Sequence, residues 1–257
     1  IDEGRGLPDR SVLFDTTKLT PERLESYVSH CKRLRAAGLD PAASGPHVRP
    51  AAHSQMGGAL VDQHTYTGVP GLYAAGEAAG GVHGASRLAG NGASDVIVFG
   101  GIAGKAAASQ RLDINGRPWQ RVHDQALQAL RRAEGRAGDL RPEEAKIAVR
   151  GIMLEAAGLY RNEDALALGA ARLAQLQQRM AADMAADGLS GAVRALQAAN
   201  MALVGQMIIA SARERRESRG AHQRTDFPAR DDAAWLHHTG VRKDASGSIA
   251  LAAVPIR

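Results

Sequence analysis

The chain has 257 residues, with 32 Lys or Arg against 27 Asp or Glu and a net charge of +5. The two signs are intermingled with no basic block, and aromatic residues make up only 4% of the chain, so nucleic-acid binding through base stacking is disfavoured. The single cysteine, Cys31, excludes an internal disulfide or a cysteine-ligated cluster and fits ordinary packing in a reducing compartment; no apolar run approaches the roughly 20 residues needed to span a bilayer.

In chain order, Val12–Phe14 reads as a short strand. Thr20 is an N-cap, Pro21 suits the first helical position and Glu22 follows, which predicts one helix running to about Ala37. Gly38, Pro41, Gly45 and Pro46 close that segment. His53 precedes a Met56–Gly57–Gly58 turn, where a lone histidine reads first as a structural hydrogen-bonder. Leu72–Ala75 running into Gly76–Glu77 predicts a buried strand that ends where glycine lets backbone approach a ligand. A carboxylate at Glu77 could then accept bonds from sugar-like hydroxyls.

The next segment orders a glycine loop, a cation and a helix start: Gly80, Gly81, His83 and Gly84, then Arg87, then Gly90–Asn91–Gly92 before an apolar stretch from Val96 to Ala103. Amides at a helix N-terminus, around Gly92 and Ala93, attract negative charge such as the anionic pyrimidine edge of a reduced flavin. Arg87 carries a planar fork suited to a carboxylate. No GxGxxG fingerprint lies between a strand and a helix.

From about Gly116 the pattern turns helical, with Val122, Ala126, Leu127 and Leu130 on one face, and Ile147, Ile152 and Met153 after Pro142. Asn162 is placed to cap a third helix bearing Leu166, Leu173, Leu176, Met180 and Met184, which Gly188 stops. Ser190 opens the last long helix, whose seam is predicted as Val193, Leu196, Asn200, Leu203, Met207 and Ala210, with Asn200 a buried packing and register device. The alternating charges Glu217, Arg219, His222, Arg224, Asp226, Arg230, Asp231 and Asp232 read as an ion-pair lock. His237–His238 lacks the carboxylate spacing of a metal site, so no metal ligand is assigned.

Taken together, AAHSQMGG (51–58), GLYAAGE (71–77), GVHGASRLAGN (81–91), VFGGIAG (98–104) and RRESRGAHQRTDFPARDDAAWLHHT (215–239) resemble, in order, the motifs of the succinate dehydrogenase and fumarate reductase flavoprotein family. Ala106–Leu140 matches least. The resemblance implies an α/β plus all-α chain corresponding to a C-terminal portion: a capping-domain tail over 1–50, the C-terminal part of the FAD-binding domain over 51–110, and a helical domain over 111–257. It implies FAD as cofactor and hydride transfer between the flavin and a dicarboxylate.

By the same resemblance, His53 and Arg87 bind substrate, while Ser54, Gly76, Glu77, Gly92 and Ala93 contact the flavin. The proton-shuttling arginine of the family precedes the IDEGRG-like start, so Arg5 is not that residue and no catalytic residue is assigned in this chain. Implied partners are the N-terminal FAD-binding half, a dicarboxylate and an iron–sulfur subunit, with a cytoplasmic location or a peripheral one on the inner face of the cytoplasmic membrane. Ser54 stands in place of the family's usual tyrosine, Ser86 in place of asparagine, and Gly92–Ala93–Ser94 in place of Ser-Leu-Leu, so flavin edge contacts fall mainly to backbone amides. An L-aspartate oxidase-like enzyme and a non-catalytic helical docking module are the alternative readings.

Overall fold

The computed structural model describes residues 6–8, 11–110, 119–244 and 246–256. The IDEGRG start through Arg5 and the predicted helical onset at Gly116 lie outside the described residues. The chain divides into two compact units, Ile1–His53 and Ser54–Arg257.

In the first unit, β1 (Val12–Leu13) pairs antiparallel with β2 (His47–Val48), with Val12 opposite Val48. Between them lie α1 (Pro21–Glu25) and α2 (Val28–Ala36). Thr20 caps α1 as expected, its side chain accepting the Arg23 amide at 3.3 Å. The single helix predicted through Ala37 is instead broken at Ser26–Tyr27. Ser26 turns its hydroxyl back onto the Arg23 carbonyl at 2.7 Å, and Tyr27 leaves helical geometry with ψ 50°. This local side-chain bond competes with the ladder, as serine does in helix interiors. Cys31 is buried and points its Sγ to the Leu24 carbonyl, so the thiol ties the two short helices together.

The second unit begins with loops. Leu72–Ala75 does not form the predicted buried strand; Leu72 is exposed and only a Tyr66–Tyr73 bridge is made. The chain there is extended, but it has one isolated partner rather than a sheet. A single 3₁₀ turn, Gly76–Ala78, leads on to α3 (Asn91–Ser109). α4 (Trp119–Ala133) follows, and its predicted apolar face is largely solvent-facing at Val122 and Leu127.

The core is built by α5 (Pro142–Ala156), α6 (Glu163–Asp183) and α7 (Gly188–Glu214), each packed on the other two. The short β3 (Tyr160–Arg161) joins α5 to α6 and pairs in parallel with β4 (Gln223–Arg224). Asn162 caps α6, accepting the Ala165 amide at 2.8 Å. α8 (Asp232–Trp235) and a hairpin of β5 (His238–Lys243) with β6 (Ile249–Val254) complete the unit.

The seam of α7 differs from the predicted one. Its buried face carries Gly191, Ala192, Ala198, Ala202, Gly205, Ile209 and Ala212, whereas Val193, Leu196 and Asn200 are exposed. Small residues win the core face because they let the three helix backbones approach closely. The larger residues of the predicted stripe would hold them apart. Asn200 is therefore a solvated amide and sets no register in the core. By length and composition alone α7 is also apolar enough to cross a membrane, which reading the sequence for uninterrupted apolar runs missed; its buried face packs in the core against α5 and α6.

At the crossings, a Cβ on Gly169 would sit 2.3 Å from Ala156 Cβ, and one on Gly205 would sit 3.0 Å from Met153 Sδ. Gly169→Val should force α5 and α6 apart and lower unfolding stability by about 1–3 kcal/mol, the usual cost of overpacking. A urea midpoint equal to that of the parent chain would show that the crossing has more slack than its geometry implies.

Candidate functional site

Three backbone segments meet at the start of the second unit. The Ser54–Ala59 segment lies along the Gly76–Gly80 turn: the Ala59 amide donates to Ala78 O at 2.8 Å and the Gly80 amide to Ala59 O at 3.0 Å. Gly58 is required there, since a Cβ would stand 2.4 Å from Ala78 O. The Gln55 amide donates to Glu77 Oε1 at 2.9 Å, orienting an exposed carboxylate whose second oxygen can accept further bonds. Gly76 has φ +69°, and a side chain on it would meet Val96 Cγ1 of α3 at 2.8 Å. Glycine thus satisfies both a left-handed backbone and a close approach.

The third segment carries Arg87. Its Nε donates to Ser54 Oγ at 3.3 Å and its Nη1 to Leu88 O at 3.3 Å. The guanidinium lies against Gly92, where a Cβ would be 3.4 Å from Nη1 and 3.5 Å from Cζ. Among the described residues no ion pair holds Arg87, so neither Glu77 nor Asp95 neutralises it. Gly90, at φ +87°, precedes α3 and offers no side-chain cap to its first amides. A cation and the positive end of a helix therefore stand side by side, a repulsive pairing that an anion between them converts to attraction.

Of the residues singled out in the sequence, Ser54, Gly76, Glu77, Arg87 and Gly92 are joined by these contacts, and Ala93 is exposed in the first turn of α3. His53 ends the first unit and is exposed. One pair escaped the sequence reading. His83 Nε2 lies 3.1 Å from Asp95 Oδ2, both side chains are largely buried, and Asp95 Oδ1 has no hydrogen-bond partner. Asp95 is the one carboxylate of α3 and directly precedes its apolar stretch from Val96, and that contrast was the one available signal.

Behind the loop lies the charge lattice. The Glu217 side chain is 0% exposed; it accepts Arg219 Nε at 2.7 Å and Nη2 at 2.9 Å, Arg215 Nη1 at 2.5 Å and the Asp231 amide at 2.9 Å. Burial alone would raise its pKa, but these four bonds outweigh burial and hold it below the ordinary value. Arg219 also donates to Asp232 Oδ1 at 2.6 Å, while Arg230 grips both Asp232 oxygens at 2.7 Å. Arg230 and Arg219 together pull Asp232 down to about 2. Arg224 is buried, bidentate to Asp226 at 2.7 Å and bonded to Ala212 O at 2.7 Å; its guanidinium depresses the Asp226 carboxyl strongly. His222 Nε2 donates to Arg215 O at 3.1 Å and Nδ1 accepts from Arg161 at 3.0 Å. Burial, reinforced by the Arg161, Arg224 and Arg215 cations, lowers its pKa.

Residues 146–257 match the fumarate reductase flavoprotein C-terminal family, and residues 1–93 match the FAD binding domain. The chain belongs to the succinate dehydrogenase and fumarate reductase flavoprotein family. It is 37% identical to an L-aspartate oxidase of Streptomyces coelicolor over 84% of this chain and 37% of that protein. It is 35% identical to a fumarate reductase flavoprotein subunit of Mycobacterium tuberculosis over 85% of this chain and 40% of that one. A solved quinol-fumarate reductase with menaquinol superposes with a TM-score of 0.89 at 29% identity, covering 100% of this chain and 47% of that chain. The chain thus spans about two-fifths of the length of the curated relatives it matches. FAD is the cofactor of this family, and its members are oxidoreductases.

The lattice sets two expectations. Glu217→Ala leaves Arg215 and Arg219 facing an empty buried site and should cost about 3–5 kcal/mol, measured by chemical denaturation; a loss under 1 kcal/mol would mean that the lattice relaxes freely. Histidine His222, with its folded pKa below the unfolded value near 6.5, stabilises above that pH and loses the contribution as pH falls. The carboxyls of Glu217, Asp226 and Asp232, also depressed, stabilise above about pH 4 and lose that contribution as pH drops toward 2. Urea midpoints should therefore decline from pH 7 to 5, then more steeply below 4, and His222→Gln should flatten only the first step.

Proposed function

We propose that this chain supplies the substrate-gripping and flavin-edge portion of an FAD-dependent oxidoreductase that interconverts a dicarboxylate and its unsaturated form. The observation that carries this reading is Arg87, unneutralised and laid across the N-terminus of α3 beside Gly92. A substrate carboxylate there would meet the guanidinium fork in charge-assisted bonds, and His53 is the second residue proposed to bind substrate.

The backbone fits a flavin on its own terms. Gly90, at positive φ with open space beside it, keeps a side chain off the approach, and the first amides of α3 are uncapped by any side chain. Gly92 and Ala93 would offer those amides to the pyrimidine edge, while Gly76, Ser54 and Glu77 would flank the cofactor, the Glu77 carboxylate accepting from its hydroxyls. FAD supplies the acceptor or donor of a hydride. The chain's own part is to hold the diacid by its carboxylate and to exclude water from the contact, so that the binding energy is spent on orientation. No residue here is assigned the proton transfer; an arginine outside this chain would perform it.

In this reading residues 1–50 are a capping-domain tail, 51–110 the end of the FAD-binding domain and 111–257 the helical domain. The principal partner is the N-terminal FAD-binding half. Exposed Ile97, 73% accessible, and the open Gly100, Gly101 and Gly104 give α3 a surface on which other polypeptide could pack, with the equally exposed Leu88 just before the helix. An iron–sulfur subunit and a peripheral membrane location follow from the same reading. An L-aspartate oxidase activity is the second reading, favoured by the Streptomyces relative; aspartate also presents two carboxylates to the same arginine.

The test is the parent gene product assayed with succinate, fumarate, aspartate and longer dicarboxylates. Arg87→Ala should retain flavin absorbance and lose on the order of 100-fold in kcat/KM. Kinetics close to the parent enzyme would remove Arg87 from the site.

A further inference from the structure

The loop that carries Arg87 is held by a distant part of the chain. The Ala221 amide donates to Ala85 O at 2.9 Å, two residues before Arg87. The neighbouring Gly220 has φ +56°, and a Cβ on it would stand 2.5 Å from Ala85 O and 2.9 Å from Ala85 Cβ. The turn cannot retreat easily. Arg219, just before it, is fixed by the buried Glu217 and by Asp232, and also pairs with His222 across the turn through backbone bonds at 2.8 and 3.0 Å. The side chain of Gln223 donates to Gly220 O at 2.8 Å. A rigid tab of the helical region thus presses on the backbone of the glycine loop.

We propose that the Gly220–Ala221 turn is a positioning element for Arg87, and that the charge lattice around Glu217 serves substrate binding by stiffening this turn. The proposal rests on the reading of Arg87 as the carboxylate-binding residue. The physical reason is one of tolerance. A bidentate carboxylate contact weakens when the fork moves by a fraction of an ångström, and the loop between Gly80 and Arg87 has glycines at Gly80, Gly81 and Gly84 that give it little stiffness of its own. Among the described residues, Arg87 has on its own side only the Ser54 hydroxyl and the Leu88 carbonyl. The tab supplies the constraint that this flexible loop lacks.

The experiment uses the flavin-loaded parent enzyme and malonate, a diacid with one carbon between its carboxylates that cannot form the double bond, titrated by the change in flavin absorbance. Gly220→Ala should raise the malonate Kd and the substrate KM at least tenfold with flavin content and circular dichroism unchanged. Gly247→Ala, which places the same side chain at φ +84° in open space at the β5–β6 turn, should leave both as in the parent. A Gly220→Ala enzyme with parental Kd overturns the proposal. Should that variant not accumulate as folded holoenzyme, Asp232→Ala, a surface change that removes the outer acceptor of Arg219, decides instead: a Kd raised about threefold supports the tab, and an unchanged Kd overturns it. Arg87→Ala separates the two claims. If it binds malonate normally, the carboxylate reading itself is wrong; if it loses binding while Gly220→Ala does not, only the positioning role is.

Discussion

A carboxylate with no access to water organises the segments that follow α7. Glu217 sits where the end of α7, the following turn and the approach to α8 come together, and it is tolerable there only because two guanidinium groups and an amide surround it. Removing a charge from water costs several kcal/mol, so the arrangement survives as a complete set or not at all. Arg215 extends the set to the carbonyl of Trp235, and Arg219 extends it to Asp232. The short segments after α7 have almost no apolar core of their own; their shape is the shape of this network.

The loop site obeys the opposite logic. There, among the described residues, a charge is left without a counter-charge: Arg87 is met by a hydroxyl, a carbonyl and the open end of a helix. The energy that a neutralising carboxylate would supply is withheld in the protein alone and becomes available to an incoming anion. The two arginine environments, one saturated and one unsaturated, lie within a single compact unit, and their contrast separates framework from the proposed binding site.

The local geometry of the candidate site was legible because its signals are local. Glycines before a cation and an apolar helix fixed the start of α3 and the place of Arg87, and Asn162 announced α6 by a side chain bonding three residues ahead. What failed was long-range. Asn200 was placed in the core because larger apolar residues share its stripe, but the three helices chose the alanine and glycine face of α7 for closeness. The His83–Asp95 pair and the Ala221–Ala85 bond join residues 12 and 136 apart, and no periodicity encodes such meetings. The break at Ser26 is local, yet a helix-permissive sequence hid it behind a hydroxyl that bonds backwards.

The small-residue face of α7 has a further consequence, because the helix ends at Glu214 and Arg215 is its next residue. α7 works as a lever whose fulcrum lies among α5 and α6 and whose tip carries the first cation of the network. A bulkier side chain at Gly205 or Gly169 would tilt that lever as well as loosen the bundle. Substitutions in the helical interior would then reach the Glu217 network through Arg215 and, through the Ala221–Ala85 bond, the loop that carries Arg87.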